Sequence, residues 1–255
     1  MPKDKNQTAV ARVAQKLRLE AMENAEGELI GSEDDMVERL GVSRPTLRQA
    51  AALVSQEQLL RVKRGVGGGY FATRPNSKAV SHIAAIYLRT HDASLDELFY
   101  AAEAMRIELA RLTCRNRSPE TAVLMQEFLD RDNERNKGEI NYRTFLIGER
   151  DLGKTMGEAS KNKVLSLFLE ILYDFTSFLP PEEDIYIYRT ERIKQYLTLR
   201  TRFAEAMLVG DEELAVLSAK RCSIISTQWM LEDRKAQKTH KPGRPSLGWM
   251  DEKVI

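Results

Sequence analysis

The chain has 255 residues, of which 42% are hydrophobic and 30% are charged, and its formal net charge is +1. This length accommodates one large domain or two ordinary ones, and the composition is typical of a folded globular protein. Two isolated cysteines, Cys114 and Cys222, exclude a disulfide framework and a zinc finger. No segment approaches the roughly 20 apolar residues of a membrane-spanning helix. The first ten residues lack an apolar signal core, so we expect a cytoplasmic protein.

The first 75 residues predict three helices followed by a β-hairpin. Apolar residues at helical spacing place the first helix at 7–24. Ser32, with Asp35 three residues later, predicts the start of a second helix that ends near Leu40. A tight turn then leads to a third helix, for which Ser43 is the expected N-cap. The segments 59–63 and 70–73 flank a glycine-rich tip and predict a hairpin, whose turn requires the positive φ that glycine tolerates.

The rest of the chain has a helical pattern as far as residue 232, after a linker at 74–77. Amphipathic patterns predict helices at 77–91, 95–116, 119–135, 141–159, 162–178, 184–209 and 211–232. The helix at 162–178 is apolar on nearly every side, so we expect it at the centre of the bundle. From Arg234 onward the sequence is basic and rich in Pro and Gly, which predicts a mobile tail.

These patterns predict a mainly α protein in three parts. The first is a winged helix-turn-helix domain at 1–75, made of three helices and a β-hairpin wing. The second is an all-helical bundle at 76–233. The third is the basic tail at 234–255, where Lys241-Pro242-Gly243-Arg244-Pro245 faintly resembles an AT-hook, although a solvated tail is the favoured interpretation.

The second and third helices, joined by a tight turn and followed by a glycine-tipped hairpin, suit DNA reading. Between Arg39 and Arg74 the sequence has seven basic residues and one acid, a local charge of +6 that suits a phosphate-binding surface. Arginine bidentate to guanine is the commonest base-specific contact. The alternative is that these arginines only solvate a surface helix. The residues that we predict to contact DNA are Arg44, Thr46, Arg48 and Gln49 on the third helix, with Lys63 and Arg64 on the hairpin.

Residues 32–33 (SE), 40–50 (LGVSRPTLRQA) and 60–71 (LRVKRGVGGGYF) resemble the GntR superfamily of bacterial regulators. The helical remainder is similar in length and helix pattern to the ligand-sensing domain of its FadR-like subgroup. The resemblance implies DNA contacts from Ser43, Arg44, Thr46 and Arg48 on the reading helix, and from Arg64-Gly65 on the wing. The family usually has an arginine after the glutamate of the first motif. This chain has Asp34 there, and an acid cannot bind phosphate.

In many members of that family the helical domain holds a divalent metal through an aspartate and three histidines. The equivalent positions here are Glu149, Gly153, Arg200 and Cys222, so all three histidines are replaced. Glu149 and Cys222 are too few ligands for the three or four that zinc requires. We therefore predict no metal and no cofactor, and we treat these four residues as candidate effector-binding residues. The chain's own histidines, His82, His91 and His240, lie elsewhere, and we expect packing or surface roles for His82 and His91.

Arg200 lies within the apolar stripe of the predicted helix 184–209. A guanidinium stays protonated, so a buried arginine needs an anionic partner or water. Glu149 is one candidate partner, in a purely structural ion pair. The carboxylate of a ligand is the other, since arginine binds carboxylates bidentately. In a combined scheme the ligand displaces Glu149. We predict an anionic effector, either a carboxylate or an acyl thioester.

A single reading helix per chain gains affinity and symmetry only in a dimer. We therefore expect a ligand-responsive transcriptional repressor that binds an inverted repeat in double-stranded DNA as a homodimer. Family resemblance and the amphipathic helix at 77–91 also favour a dimer. One alternative is a helical enzyme or carrier with a vestigial DNA-binding domain. The sequence has no GxSxG, P-loop or HExxH motif, so we expect no enzyme. A third interpretation is an architectural DNA-binding protein without an effector.

Overall fold

The computed structural model describes residues 8–138, 140–176 and 179–239, with side chains described as far as residue 236. These residues form ten α-helices and one three-stranded antiparallel sheet. The chain divides into two compact units between Val80 and Ser81. Helix α4 spans that division. None of the described helices is long and apolar enough to cross a membrane.

The first unit contains the three predicted helices and the predicted hairpin. Its elements are α1 (Ala9–Glu23), β1 (Leu29–Gly31), α2 (Glu33–Leu40), α3 (Arg44–Gln56), β2 (Leu60–Lys63) and β3 (Gly69–Ala72). The sheet order is β1-β3-β2, so β3 pairs with both other strands. Strand β1 was not expected, because three residues between glycines and acids are too few to show the alternation that predicts a strand. It adds an edge to the hairpin, with Leu29 opposite Phe71.

Local capping fixes where the helices of this unit begin. The Ser32 hydroxyl accepts a hydrogen bond from the Asp35 amide, and the Asp35 carboxylate accepts from the Ser32 amide, which completes the predicted capping box at α2. Gly41 ends α2 in the left-handed conformation, with φ 64°. Ser43 caps α3, as predicted, with its hydroxyl 3.4 Å from the Thr46 amide. The core of the unit includes Leu17, Met36, Leu47, Val54 and Tyr70.

The second unit is helical, as predicted. Its elements are the rest of α4 (Ser77–Thr90), then α5 (Leu95–Arg115), α6 (Pro119–Arg135), α7 (Tyr142–Ala159), α8 (Lys163–Thr176), α9 (Thr190–Val209) and α10 (Glu212–Thr239). Two groups of apolar side chains form its core. One includes Leu109, Phe128, Leu152, Met156 and Phe203, and the other includes Phe145, Phe175, Ile185, Tyr196 and Trp229. Helices α5, α7 and α9 contribute to both groups.

Three expectations for this unit were wrong. The helix expected to start at 184 starts at Thr190, because the Asp184 carboxylate accepts from the amides of Tyr186 and Ile187 and so stabilises a turn. Residues 234–239, which were expected to belong to a tail, are helical, because α10 extends to Thr239, and Arg234 donates to Asp96 at 2.5 Å. Residues 240–255 lie outside the described residues. Helix α8 is not central on all sides, since Val164 and Phe168 are exposed.

Candidate DNA-binding surface and effector site

Helix α3 and the hairpin β2–β3 place the predicted DNA-contacting residues at the surface of the first unit. The inner face of α3 packs Leu47, Ala50, Ala51 and Val54 into the core, which leaves the opposite face to solvent. Thr46 is half-buried. The other predicted contact residues are all exposed: Ser43, Arg44, Arg48, Gln49, Lys63, Arg64 and Gly65. The Ser43 hydroxyl also lies 2.9 Å from the Thr46 hydroxyl, so these two side chains support the helix start as well.

The two arginines of the reading helix are both paired with acids from α2. Arg44 donates from Nη2 to Asp34 at 2.6 Å. Arg48 donates twice to Glu33, at 2.8 and 3.1 Å. These hydrogen bonds raise the pKa of Arg44 and of Arg48 above the ordinary arginine value. The sequence had given no sign of either pair, because the partners are ten and fifteen residues apart.

Other basic residues counted in the +6 segment have structural roles. Arg39 forms two hydrogen bonds to Glu20, at 2.9 and 2.8 Å. Arg74 donates to the carbonyl oxygens of Ala21 and Asn24, at 2.7 and 2.5 Å, and so satisfies the end of α1. The local charge therefore overstates the cationic surface that is free for DNA.

The hairpin tip is a glycine turn with two cations at its base. Gly65 and Gly67 have φ values of 90° and 69°, as the predicted turn required, and the Gly68 amide donates to the Gly65 carbonyl at 2.8 Å. Lys63 and Arg64 have no ion-pair partner in the part of the chain that the structure describes. Both cations can therefore approach a phosphate directly.

The second unit has a partly open cavity of about 110 Å³, lined by α5, α7, α8, α9, α10 and the segment that follows α8. A cavity of roughly 150 Å³ is known to hold benzene, so the space suits a molecule of a few heavy atoms. One part of the wall is apolar and the other is polar. The apolar part includes Leu95, Leu98, Phe99, Ala102, Leu146, Leu172, Leu179 and Ile185, and the polar part includes Arg106, Glu149, Tyr173, Tyr196, Ser223 and Ser226.

Arg106, on α5, is the cation of the polar wall, and it is 7% exposed. Its Nε donates to the Tyr173 hydroxyl at 3.1 Å, and Nη1 donates to the Tyr196 hydroxyl at 2.5 Å. Its Nη2 donates to Glu149 in a close ion pair. A guanidinium has five N–H groups. Two of them, one on each Nη, therefore have no acceptor among the described residues.

Arg200, on α9, is buried deeper, at 1% exposure, and all three of its nitrogens donate to acceptors of the protein. Asp132 receives three hydrogen bonds, from Nε at 3.2 Å and from Nη2 at 2.7 and 2.9 Å. Nη1 donates to the Phe145 carbonyl at 3.2 Å and to Glu149 at 3.3 Å. The pairing with Glu149 that we had considered is present, but Asp132 is the main partner.

Glu149 links the two buried arginines. Burial alone would raise the pKa of Glu149, but the charges of Arg106 and Arg200 outweigh burial and hold that pKa below its usual range. The phenol of Tyr196 donates to Glu149 at 3.1 Å. Burial raises the pKa of Tyr173 to about 12, so its hydroxyl stays protonated. This buried set contains two cations, Arg106 and Arg200, and two carboxylates, Glu149 and Asp132. Its net charge is therefore zero.

Of the four predicted effector residues, Glu149 lines the cavity, whereas Arg200, Gly153 and Cys222 are not part of its wall. A Cβ on Gly153 would lie 2.5 Å from Cε2 of Tyr173, so this glycine allows α8 to pack closely on α7. Cys222 is buried, which raises the pKa of its thiol to about 12. Sequence reasoning missed Arg106, although it lies between Leu98 and Leu109 on the buried face of α5 and so had the signal that singled out Arg200.

Across residues 8–138, 140–176 and 179–239, no three side chains of His, Cys, Asp or Glu are grouped so that they could hold a metal ion. The absence of a metal remains a prediction. His91 stacks on Tyr87, with ring centroids 4.0 Å apart, and its Nδ1 lies 2.8 Å from the Tyr87 carbonyl. His240 lies outside the described residues.

Three helices with a wing, followed by a helical unit with a mainly apolar cavity that holds one buried arginine in its wall, define the class: a winged helix-turn-helix protein with a helical second unit. The sequence matches no protein-family model and no curated protein. Among solved structures, the GntR protein of Streptococcus agalactiae has this fold, with a TM-score of 0.61 at 13% identity over 86% of this chain and 98% of that one. The predicted resemblance to GntR regulators is confirmed at the level of the fold. The FadR-like subgroup is not distinguished.

Two further structures are similar over most of their length, with lower TM-scores. McbR/YncC of E. coli gives 0.45 at 13% identity, covering 89% of this chain and 99% of that one. A GntR family regulator from Pseudomonas syringae pv. tomato gives 0.33 at 19% identity, covering 90% of this chain and 89% of that one. Because both TM-scores lie below 0.5, these two similarities carry no argument about this chain.

Proposed function

We propose that the chain is a DNA-binding transcriptional regulator of the GntR superfamily, a repressor that a small anionic molecule releases from DNA. The observation that carries this proposal is the exposed face of α3, with two arginines, beside a wing with two unpaired cations. A helix of this kind fits the major groove, and a wing can reach the adjacent backbone.

The DNA-binding form is a homodimer on an inverted repeat, since each chain has one reading helix. Selection from a random duplex library identifies the preferred site, and light scattering gives the mass of the free protein. A palindromic consensus and a dimer mass are the expected results. A monomer at micromolar concentration, or a selected site without two-fold symmetry, would contradict the dimer.

Two substitutions separate base reading from phosphate binding. Arg48→Ala is expected to weaken binding to the selected site by about 1–3 kcal/mol and to affect a scrambled duplex much less. Lys63→Ala is expected to weaken both duplexes alike, because a phosphate contact has no sequence preference. Arg143→Ala, an exposed arginine in the second unit, is the matched control for the lost charge. Equal losses on both duplexes from Arg48→Ala would exclude base reading by that residue.

For the effector we infer that Arg106, rather than Arg200, binds the anion. Arg200 makes five hydrogen bonds within the protein and is not part of the cavity wall. Two N–H groups of Arg106 have no acceptor among the described residues. Arg106 also lies at the cavity wall, beside the protonated hydroxyl of Tyr173. A carboxylate can accept hydrogen bonds from two N–H groups of one guanidinium. A cavity of about 110 Å³ favours a small carboxylate over an acyl thioester. The apolar wall favours a short hydrocarbon chain on that acid.

A panel of short-chain carboxylates, tested for the shift that each causes in thermal unfolding, examines this assignment. We expect at least one acid to raise the melting temperature, because a ligand that binds only the folded state stabilises it. Arg106→Gln should abolish that shift, and Arg111→Gln, a half-exposed arginine on the same helix, should retain it. A full shift in Arg106→Gln would refute the anchor. We propose no acid–thiol chemistry for Glu149 and Cys222, because the buried Cys222 thiol, with a pKa of about 12, is protonated at neutral pH.

A further inference from the structure

Asp34 is an exposed acid on the surface that reads DNA. It lies in the first turn of α2 with Glu33 and Asp35. Asp35 completes the capping box, and Glu33 binds Arg48 through two hydrogen bonds. Asp34 instead makes one hydrogen bond, 2.6 Å long, to Nη2 of Arg44, and both side chains remain mostly exposed.

A carboxylate at this place acts against DNA binding in general. A unit charge about 6 Å from a phosphate changes the affinity for DNA by about three- to tenfold, if the effective dielectric constant lies between that of water and that of a protein surface. An unpaired Arg44 on the same surface would bind any phosphate within its reach. The structure therefore has a residue that lowers affinity for arbitrary DNA at two levels, by repulsion and by occupying a cation.

We propose that Asp34 is a specificity-determining positioning residue, which holds the Arg44 guanidinium in one orientation and so weakens binding to arbitrary sequences more than binding to the operator. This inference rests on the proposed DNA-binding function. Asp34 takes one of the five N–H groups of Arg44. The other four are free to donate to a base edge or a phosphate, but only where the DNA places an acceptor in front of the held side chain. An operator satisfies that condition, and most sequences do not.

Asp34 also lies near the N-terminus of a helix, where an acid interacts favourably with the helix dipole. That role is separable from the proposed one. Asp34→Glu keeps the charge at the helix start and can still reach Arg44, whereas Asp34→Asn removes the charge. Glu38→Gln is the matched control, because it removes an exposed acid from the same helix that has no ion-pair partner among the described residues. Thermal unfolding of each variant reports any change in folding.

The test measures binding of each variant by fluorescence anisotropy to two duplexes of equal length, one with the site selected by the wild type and one scrambled. Loss of the carboxylate charge should tighten binding to both duplexes by about three- to tenfold, because repulsion from phosphates has no sequence preference. The released Arg44 should tighten binding to the scrambled duplex further, so we expect Asp34→Asn to gain more affinity for scrambled DNA than for the selected site and its selectivity to fall. The salt dependence on scrambled DNA should steepen by about 0.9, the slope of one added phosphate contact. Asp34→Glu should keep the wild-type selectivity, and Glu38→Gln should leave the ratio of the two affinities unchanged.

Each contrary outcome points to a different failure. If Asp34→Asn tightens both duplexes equally, or has no more effect than Glu38→Gln, Asp34 does not determine specificity and the inference is overturned. If the wild type discriminates between the duplexes and Asp34→Asn discriminates equally well, only the inference fails. If the wild type binds neither duplex at low salt, the proposed function fails and the inference fails with it.

Discussion

The ion pair between Arg200 and Asp132 offers a sharp test of the buried network. Arg200→Met keeps a long unbranched side chain and removes the charge with all five hydrogen bonds. Asp132 then retains only Arg135, whose Nη1 lies 3.0 Å from Oδ1. Glu149 retains its close pair with Arg106. Both carboxylates stay buried, but each has lost a cation.

Removal of one partner from a buried ion pair typically costs about 3–5 kcal/mol of unfolding free energy. Because Asp132 and Glu149 each keep one arginine, we expect the loss of unfolding free energy in Arg200→Met to lie near the lower end of this range, at about 3 kcal/mol. Asp132→Leu should cost a similar amount, since it leaves Arg200 with Glu149 alone. The double variant leaves neither member of the pair buried without its partner. It should therefore cost about 3 kcal/mol less than the sum of the two single variants.

Urea unfolding, followed by far-UV circular dichroism, measures these differences, because the second unit supplies most of the helical signal. The control is Arg143→Met, which removes an exposed arginine from α7 and should change the unfolding free energy by less than about 0.5 kcal/mol. A loss below about 1 kcal/mol in Arg200→Met would mean that the buried pair contributes no more than a surface pair. Strictly additive costs would refute the direct coupling of Arg200 with Asp132.

Three further predictions concern the second unit. The charges of two guanidinium groups lower the pKa of Glu149 in spite of its burial. Glu149 therefore contributes stability that is fully present above its unfolded-state pKa of about 4.3 and is lost as the pH falls through the lower folded-state pKa. The difference in unfolding free energy between wild type and Glu149→Gln should shrink towards acid pH, and a constant difference would contradict this. The thiols of Cys114 and Cys222, with pKa values of about 11 and 12 from burial, should resist alkylation in the native protein at neutral pH and react after denaturation; rapid native labelling would show that the burial is wrong. Gly153→Ala should destabilise the protein by about 1–3 kcal/mol by displacing the Tyr173 ring, and a neutral result in urea unfolding would show that α7 and α8 separate easily.

The first unit was largely predictable because its signals are local. Ser32 and Ser43 mark helix starts through hydrogen bonds that span three residues, and glycines mark the hairpin turn where positive φ is needed. Strand β1 escaped prediction because the strand with which it pairs, β3, lies about forty residues away in the sequence. The ion pairs of Arg44 and Arg48 escaped for the same reason, since their partners lie on another helix.

In the second unit, periodicity predicted where most helices lie but not how far they extend. Ile185 continues the apolar spacing of α9 toward its N-terminus, yet Asp184 binds two backbone amides and holds a turn there. At the other end of the unit, basic and polar residues after 232 suggested a tail. Helix α10 nevertheless continues, and its Arg234 donates to Asp96 on α5. In both cases side-chain hydrogen bonds accompany a helix boundary that the sequence pattern did not predict.

The effector site shows what a buried charge in an apolar stripe does and does not predict. Burial of Arg200 correctly implied an anionic partner, because an isolated charge in the core is too costly. It did not indicate whether that partner was protein or ligand, since both satisfy the same guanidinium. The distinction lies in position and in the number of hydrogen bonds to the protein: Arg200 makes five and is not part of the cavity wall, whereas Arg106 makes three and lines the cavity. An arginine held on all sides by the protein stabilises the fold, and one at a cavity wall can still bind a ligand. By this criterion Arg200 is structural, and substitution of Arg106 should abolish the effector response, with some loss of stability because Arg106 also pairs with the buried Glu149.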